Sequence, residues 1–286
     1  MHCVNCYFIS YRADVILFST TKKIFRFKNL SFFSANDINM NVDILAFGAH
    51  PDDTELCCAG TLAALISQDK KAAVVDLTRG QMGTRGTPEL RLQEAAKAAS
   101  ILGLSSRDNL GMKDSEIENT RENQIKIIRK VRFYKPHICF ITAPSDRHPD
   151  HGDATRLLID AIFYSGLKKI ETKDINGNNQ EPHRPAHILH YMQDQPFEPD
   201  FVFDITDTIG KKEEAIKAFA SQFHVENPGD EPETYISSIN FFESLRARAM
   251  HFGHLAGFRY AEAFKYYQKP APLSSMNVFF ETDPIR

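Results

Sequence analysis

Val42-Asp43-Ile44-Leu45-Ala46-Phe47-Gly48-Ala49 runs straight into His50-Pro51-Asp52-Asp53-Thr54. This change from apolar run to polar motif decides the fold. Val42, Ile44, Leu45, Ala46 and Phe47 have the short apolar pattern of a buried strand. A helix over 54–68 follows, with Leu62, Leu65 and Ile66 on one face. The same arrangement returns at Ile138-Cys139-Phe140-Ile141, which leads to Asp146-Arg147-His148-Pro149-Asp150-His151. Both polar clusters therefore stand just past the C-terminal end of a strand, and in a parallel sheet those ends lie side by side.

Strand and helix patterns alternate through the rest of the chain. A strand over 72–77 precedes the Gly-rich loop from Thr78 to Thr87, and Pro88 opens a helix that Gly103 ends. Further helices are expected over 120–134, over 153–165, through Ala215, Ile216 and Phe219, and over 239–252. Strands are expected over 187–192 and 201–203, with a closing strand over 260–267. Lys168 to Pro185 reads as a polar loop, and Asn227-Pro228-Gly229-Asp230 as a break. This alternation predicts an α/β, Rossmann-like, mainly parallel sheet with helices on both faces, because parallel neighbours need crossovers and helices supply them. The first strand–helix loop lacks Gly-x-Gly-x-x-Gly, so dinucleotide binding loses its principal support.

Composition narrows the function. Lys plus Arg total 34 against 37 Asp plus Glu, which gives no broad cationic face for nucleic acid. No apolar stretch approaches the roughly 20 residues that span a bilayer. A small-molecule partner is expected, with neither nucleic acid nor membrane. The five cysteines, at 3, 6, 57, 58 and 139, are odd in number and irregular in spacing, a pattern of reduced thiols rather than a disulfide framework. Residues 1–39 are Phe-rich and basic without a regular pattern, and Met40 stands directly before the first core strand. They are read as an N-terminal extension, with 40–286 as a single catalytic domain whose C-terminal part contributes to the pocket.

The two polar clusters have the composition of a metal-hydrolase centre. His50 and Asp53 are three residues apart on a turn stiffened by Pro51, so one loop aims an imidazole and a carboxylate at a common point. His148 and His151 both qualify as a third ligand; His151 is assigned, leaving His148 free. Three such ligands leave positions open for water and substrate, as catalytic sites do. Asp52, adjacent to a ligand but not required as one, suits general acid/base work, although an aspartate there also suits a helix N-cap. His148 is placed to stabilise a developing oxyanion, with Asp150 fixing its tautomer and charge.

The His-Pro-Asp-Asp and His-Pro-Asp-His pair resembles the PIG-L (LmbE-like) family of metal-dependent N-acetylglucosaminyl deacetylases. Further likeness runs through most of residues 41–270. It includes Gly86-Thr87-Pro88-Glu89-Leu90-Arg91, Asp146-Arg147-His148, Pro182-His183-Arg184, Ser221-Gln222-Phe223 and Tyr260-Ala261-Glu262-Ala263-Phe264. These segments are similar to the bacillithiol-biosynthesis branch, which removes acetate from N-acetylglucosaminyl malate. The resemblance implies His50, Asp53 and His151 as metal ligands, Asp52 as acid/base and His148 as the assisting histidine. It also implies Zn2+, with other divalent ions such as Fe2+ accepted by the same donors, a cytoplasmic setting, and a homo-oligomer that is often a hexamer. By the same likeness Arg91, Arg147, Arg184 and Tyr235 belong to substrate binding, where a guanidinium fork suits malate carboxylates. For each arginine a salt bridge or subunit contact is an equal reading. Gln81 stands where relatives often carry Glu.

Two rival functions share parts of this pattern. A non-haem Fe(II) oxygenase also uses two histidines and a carboxylate, but favours β-rich folds and has no use for Asp52. A metal-dependent sugar-binding module without turnover would need neither Asp52 nor His148.

Overall fold

A computed structural model describes residues 40–223, 232–268 and 270–272. The extension 1–39, with Cys3 and Cys6, and the Asn227-Pro228-Gly229-Asp230 break lie outside the described residues. Seven strands form one sheet: β1 (Ile44–Gly48), β2 (Ala72–Thr78), β3 (Ser106–Met112), β4 (Ile138–Ile141), β5 (His187–Tyr191), β6 (Phe201–Asp204) and β7 (Ala261–Tyr266), in the order β3-β2-β1-β4-β5-β7-β6. β1 to β5 pair in parallel. β7 runs antiparallel to both β5 and β6. The expected mainly parallel α/β sheet is therefore present, closed at one edge by an antiparallel pair.

Period-two alternation in the buried strands assigns the two faces. Leu45, Phe47, Ala73, Val75 and Leu77 pack with Ile127, Ile128, Val131, Leu157 and Leu158 of α4 (Arg121–Tyr134) and α5 (Pro149–Ser165). Ile44, Ala46, Ala72 and Val74 point the other way, onto Leu62 of α2 (Ala59–Ser67). That side also carries α3 (Pro88–Leu102) and α6 (Ile209–Lys217), which pack on α2 through Ala59, Ala63, Ala95, Ala98, Ala215 and Phe219. With both faces covered, β1 and β2 are buried at every position.

Three elements differ from expectation. β3 was not anticipated, because Ser106-Arg107-Asp108-Asn109 carries no apolar run; as an edge strand it is held by polar contacts instead. Arg107 donates to Asp76 through Nε at 2.8 Å and Nη2 at 2.9 Å, and to Glu55 through Nη1 at 2.5 Å. The helix expected over 54–68 is two helices, α1 (Asp53–Cys57) and α2, broken at Cys58. The amides of Gly60 and Thr61 at the start of α2 donate to the Glu262 carboxylate at 3.0 and 2.7 Å, and Lys212 Nζ lies 2.6 Å from the same group. α5 begins at Pro149, earlier than the expected 153, with His148 as its N-cap.

The chain proceeds from β1 outward to β2 and β3, then returns to β4 on the other side of β1. The loops after β1 and β4 thus flank the point where strand order reverses, the place where open α/β sheets form ligand crevices. Near them lie a short 3-10 turn at Tyr235–Ser237 and α7 (Ile239–Ala256).

Candidate metal centre

The loop after β1 folds on itself: the His50 amide donates to Asp53 Oδ2 at 2.9 Å. His50 Nδ1 then lies 3.7 Å from Asp53 Oδ2, and His151, in the first turn of α5, brings Nε2 to 3.2 Å from Asp53 Oδ1. The rings of His50 and His151 are 5.7 Å apart between centroids. Segments a hundred positions apart therefore present two imidazole nitrogens to one buried carboxylate.

The far nitrogens face carboxylates as well. His50 Nε2 is 3.0 Å from Asp114 Oδ1 and 3.3 Å from Asp150 Oδ2, while His151 Nδ1 is 2.5 Å from Asp146 Oδ2. Each carboxylate is fixed by a main-chain amide: Asp114 by Met82, Asp150 by Ser115 and Asp146 by Gln195. A carboxylate at the far nitrogen keeps the proton there and leaves the nitrogen facing Asp53 as the donor of a lone pair, the arrangement that supports metal-bound histidines. Burial opposes charge on His50, but Asp114, Asp150 and Asp53 outweigh it and hold its pKa well above the ordinary histidine value. Burial likewise opposes charge on His151, yet Asp53 and Asp146 raise its pKa to about 9. Asp53 is held well below the carboxylate range: burial works against this, and His151 and His50 prevail.

Two overlapping sets of donor atoms, each within 4.8 Å of one another, meet here among the described residues: His50, His148 and His151, and His50, Asp114 and Asp150. Nitrogen and oxygen donors of this kind, mostly buried, fit a divalent cation such as zinc or iron. The buried thiols do not contribute. Burial pushes Cys57 and Cys58 above the ordinary thiol value, so neither is a thiolate near neutral pH.

Asp52 occupies the N-cap position of α1, but its side chain makes no capping bond. Its carboxylate instead accepts from Arg91 Nη2 at 2.7 Å. Burial drives its pKa up to about 7, with Arg91 pulling it down and Asp53 adding to the rise. His148 Nδ1 accepts from the Asp150 amide at 3.2 Å, which leaves the proton on Nε2. Burial, with His50 and His151 nearby, lowers its pKa. The expected partnership of His148 and Asp150 thus runs through the Asp150 main chain, while the Asp150 carboxylate serves His50 and Ser115.

A cavity of about 830 Å³ opens over these groups, lined also by Arg91, Arg147, Asp194, Tyr235 and Arg248. At its rim Arg147 donates through Nε to Asp194 Oδ2 at 2.8 Å and lies 4.3 Å over the Tyr235 ring, whose hydroxyl donates to Asp194 Oδ1 at 3.0 Å. Arg184 is not among the lining residues. Its guanidinium stacks over Phe163 and donates to the Phe163 carbonyl, so within one chain it stands apart from the other three residues assigned to substrate. Gln81 donates to Met112 O and accepts from the Arg79 amide, and its amide does both jobs where a carboxylate can do only the second.

Sequence reading missed Asp114, Asp146 and Asp194. Asp146 was in view, directly before Arg147, and the recurring pairing of a ligand histidine with a carboxylate is the signal that finds it. Asp114 follows the unanticipated β3, so nothing local marked it.

The span from β1 to α5, residues 45–162, matches the family model for PIG-L, GlcNAc-PI de-N-acetylase. The chain belongs to the PIG-L family of deacetylases. A structure of a conserved protein, TT1542 from Thermus thermophilus, is similar to this PIG-L chain at 34% identity and a TM-score of 0.72, covering 82% of this chain and 98% of that one. Diacetylchitobiose deacetylase of Thermococcus kodakarensis is 29% identical over 233 residues, which are 78% of this chain and 82% of the relative. A probable N-acetyl-alpha-D-glucosaminyl L-malate deacetylase 2 of Bacillus anthracis is 26% identical over 196 residues, 63% of this chain and 81% of that protein.

Proposed function

We propose that this PIG-L protein hydrolyses the N-acetyl group of an N-acetylglucosaminyl conjugate, releasing acetate and the free amine, with a divalent cation, zinc in the first instance, held by His50, Asp53 and His151. One observation carries the reading: His50 Nδ1 and His151 Nε2 both face the Asp53 carboxylate, and Asp52, the residue before it, lines the same cavity. When bound, the cation supplies Lewis-acid polarisation of the acetyl carbonyl and of a water molecule.

The side chains supply the rest. A base works best with a pKa near the working pH, and burial brings Asp52 there, to about 7. Its carboxylate takes a proton from water as the water oxygen adds to the amide carbon, and returns one to the amine nitrogen as the C–N bond breaks. His148, with Nδ1 engaged by the Asp150 amide, directs its Nε2–H toward the oxygen on which charge develops. Arg147 and Tyr235 lie beside the part of the substrate that extends beyond the acetamide.

Within that reaction the substrate proposed is N-acetylglucosaminyl malate, as in bacillithiol biosynthesis. The likeness to the Bacillus relative supports it. A second substrate, an N-acetylated chitobiose, has support from the longer match to the Thermococcus enzyme. The metal-loaded protein, incubated with both and with simpler N-acetylglucosamine conjugates, should release primary amine from at least one, fastest from the malate conjugate. Binding without amine release would favour the sugar-binding module.

A further inference from the structure

Asp52 sits in backbone geometry that an L side chain rarely adopts: its φ is +120°. A non-glycine residue is kept there only when its surroundings over-determine it. Arg91, in the first turn of α3, does so. Its Nη2 donates both to Pro51 O at 2.8 Å and to Asp52 Oδ2 at 2.7 Å, so one nitrogen ties the peptide before Asp52 to the Asp52 carboxylate. Its Nη1 reaches Gly80 O at 3.3 Å. Both nitrogens of the guanidinium fork are thus engaged by the protein, and Nε is buried with no hydrogen-bond partner. A carboxylate of a substrate needs two parallel N–H groups, and this guanidinium has no such pair to spare. Position 80 explains how the side chain is admitted. Gly80 has φ +65°, and a Cβ added there would fall 1.9 Å from Arg91 Nη1.

We infer that Arg91 is a positioning residue for the proton-transferring carboxylate of Asp52, not an anchor for the anionic end of the substrate, and that Gly80 is required to seat its guanidinium. This rests on the deacetylase reading above, in which Asp52 moves the protons. Lysine keeps the charge but lacks the planar fork, so it cannot hold the Pro51 carbonyl, the Asp52 carboxylate and the Gly80 carbonyl together.

Steady-state kinetics of the zinc-loaded protein, with zinc content measured alongside, tests this. Misplacing a reacting group by about 1 Å costs on the order of 100-fold, so Arg91→Ala should lower kcat about 100-fold while zinc stays bound. KM should move by less than about threefold, because the lost interaction is not one made with bound substrate. Arg91→Lys should show the same split more mildly, and reports if the alanine variant fails to fold. Gly80→Ala should lower kcat in the same direction as Arg91→Ala with KM little changed, because its methyl group displaces the guanidinium as well as straining the backbone at φ +65°. A rise in KM with kcat intact would make Arg91 a substrate anchor and overturn the inference, and an unchanged kcat in Gly80→Ala would overturn the requirement for Gly80. If the unaltered protein released no amine from any N-acetylglucosamine conjugate, the deacetylase reading would fail and the inference with it.

Discussion

At the scale of single residues, labour is divided between neighbours. Asp53 faces the imidazoles and Asp52 turns away to Arg91, so their substitutions should separate. Asp52→Ala should leave zinc content unchanged after dialysis while cutting amine release at least about 100-fold, the usual contribution of a positioned acid or base. Because a base must be unprotonated, amine release by the unaltered protein should fall as pH drops below about 7, the value to which burial raises Asp52. Cation charge nearby moves that limb only to lower pH. His151→Ala should weaken zinc binding far more than His148→Ala, and Asp146→Ala should weaken it about 10- to 100-fold, the range for carboxylates that orient ligand histidines. Competition against a zinc chelator measures all three, and the reverse order for the two histidines would exchange their roles.

The five residues His50, Asp52, Asp53, His148 and His151 were legible because each motif is contiguous and ends a recognisable strand. Asp114 and Asp194 were not, since both reach the cavity, one at the centre and one at the rim, from loops whose course depends on packing. Arg184 was read by likeness alone, and its guanidinium stacks over Phe163 of α5.

At the scale of elements, buried apolar strands and long helices were readable by periodicity, whereas polar elements were not. β3 succeeds as a strand through Arg107, whose partners Asp76 and Glu55 lie on β2 and α1. No window of local sequence contains that triad. The break between α1 and α2 is likewise stabilised from far away, by Glu262 of β7. Glu262→Ala would leave buried Lys212 without its partner and two α2 amides unsatisfied, and removing one partner of a buried pair costs about 3–5 kcal/mol. Denaturant unfolding should show a loss of that size, with zinc affinity per folded molecule unchanged. A loss under about 1 kcal/mol would mean the pair is replaceable by solvent.

For the whole molecule, β1 and β4 adjoin in the sheet while separated by two strands in the chain, and this is what brings the two motifs together. Seen from stability, the same convergence burdens the metal-free protein with protons. His151 has a folded pKa of about 9, above its unfolded value near 6.5, and His50 is raised as well. Their contribution is fully present below about pH 6.5 and is lost as pH rises toward 9. The metal-free protein should therefore show a Tm that falls across that window, and zinc should remove the fall, because a cation needs the nitrogens unprotonated. A pH-independent Tm without metal would contradict the raised pKa of these two histidines.

His50, Asp53 and His151 are proposed to share one cation. Crystals grown with zinc and measured at the zinc absorption edge test it directly. One strong anomalous peak is expected, about 2 Å from His50 Nδ1, the Asp53 carboxylate and His151 Nε2. A peak instead among His50 Nε2, Asp114 and Asp150, or none near His151, would contradict it.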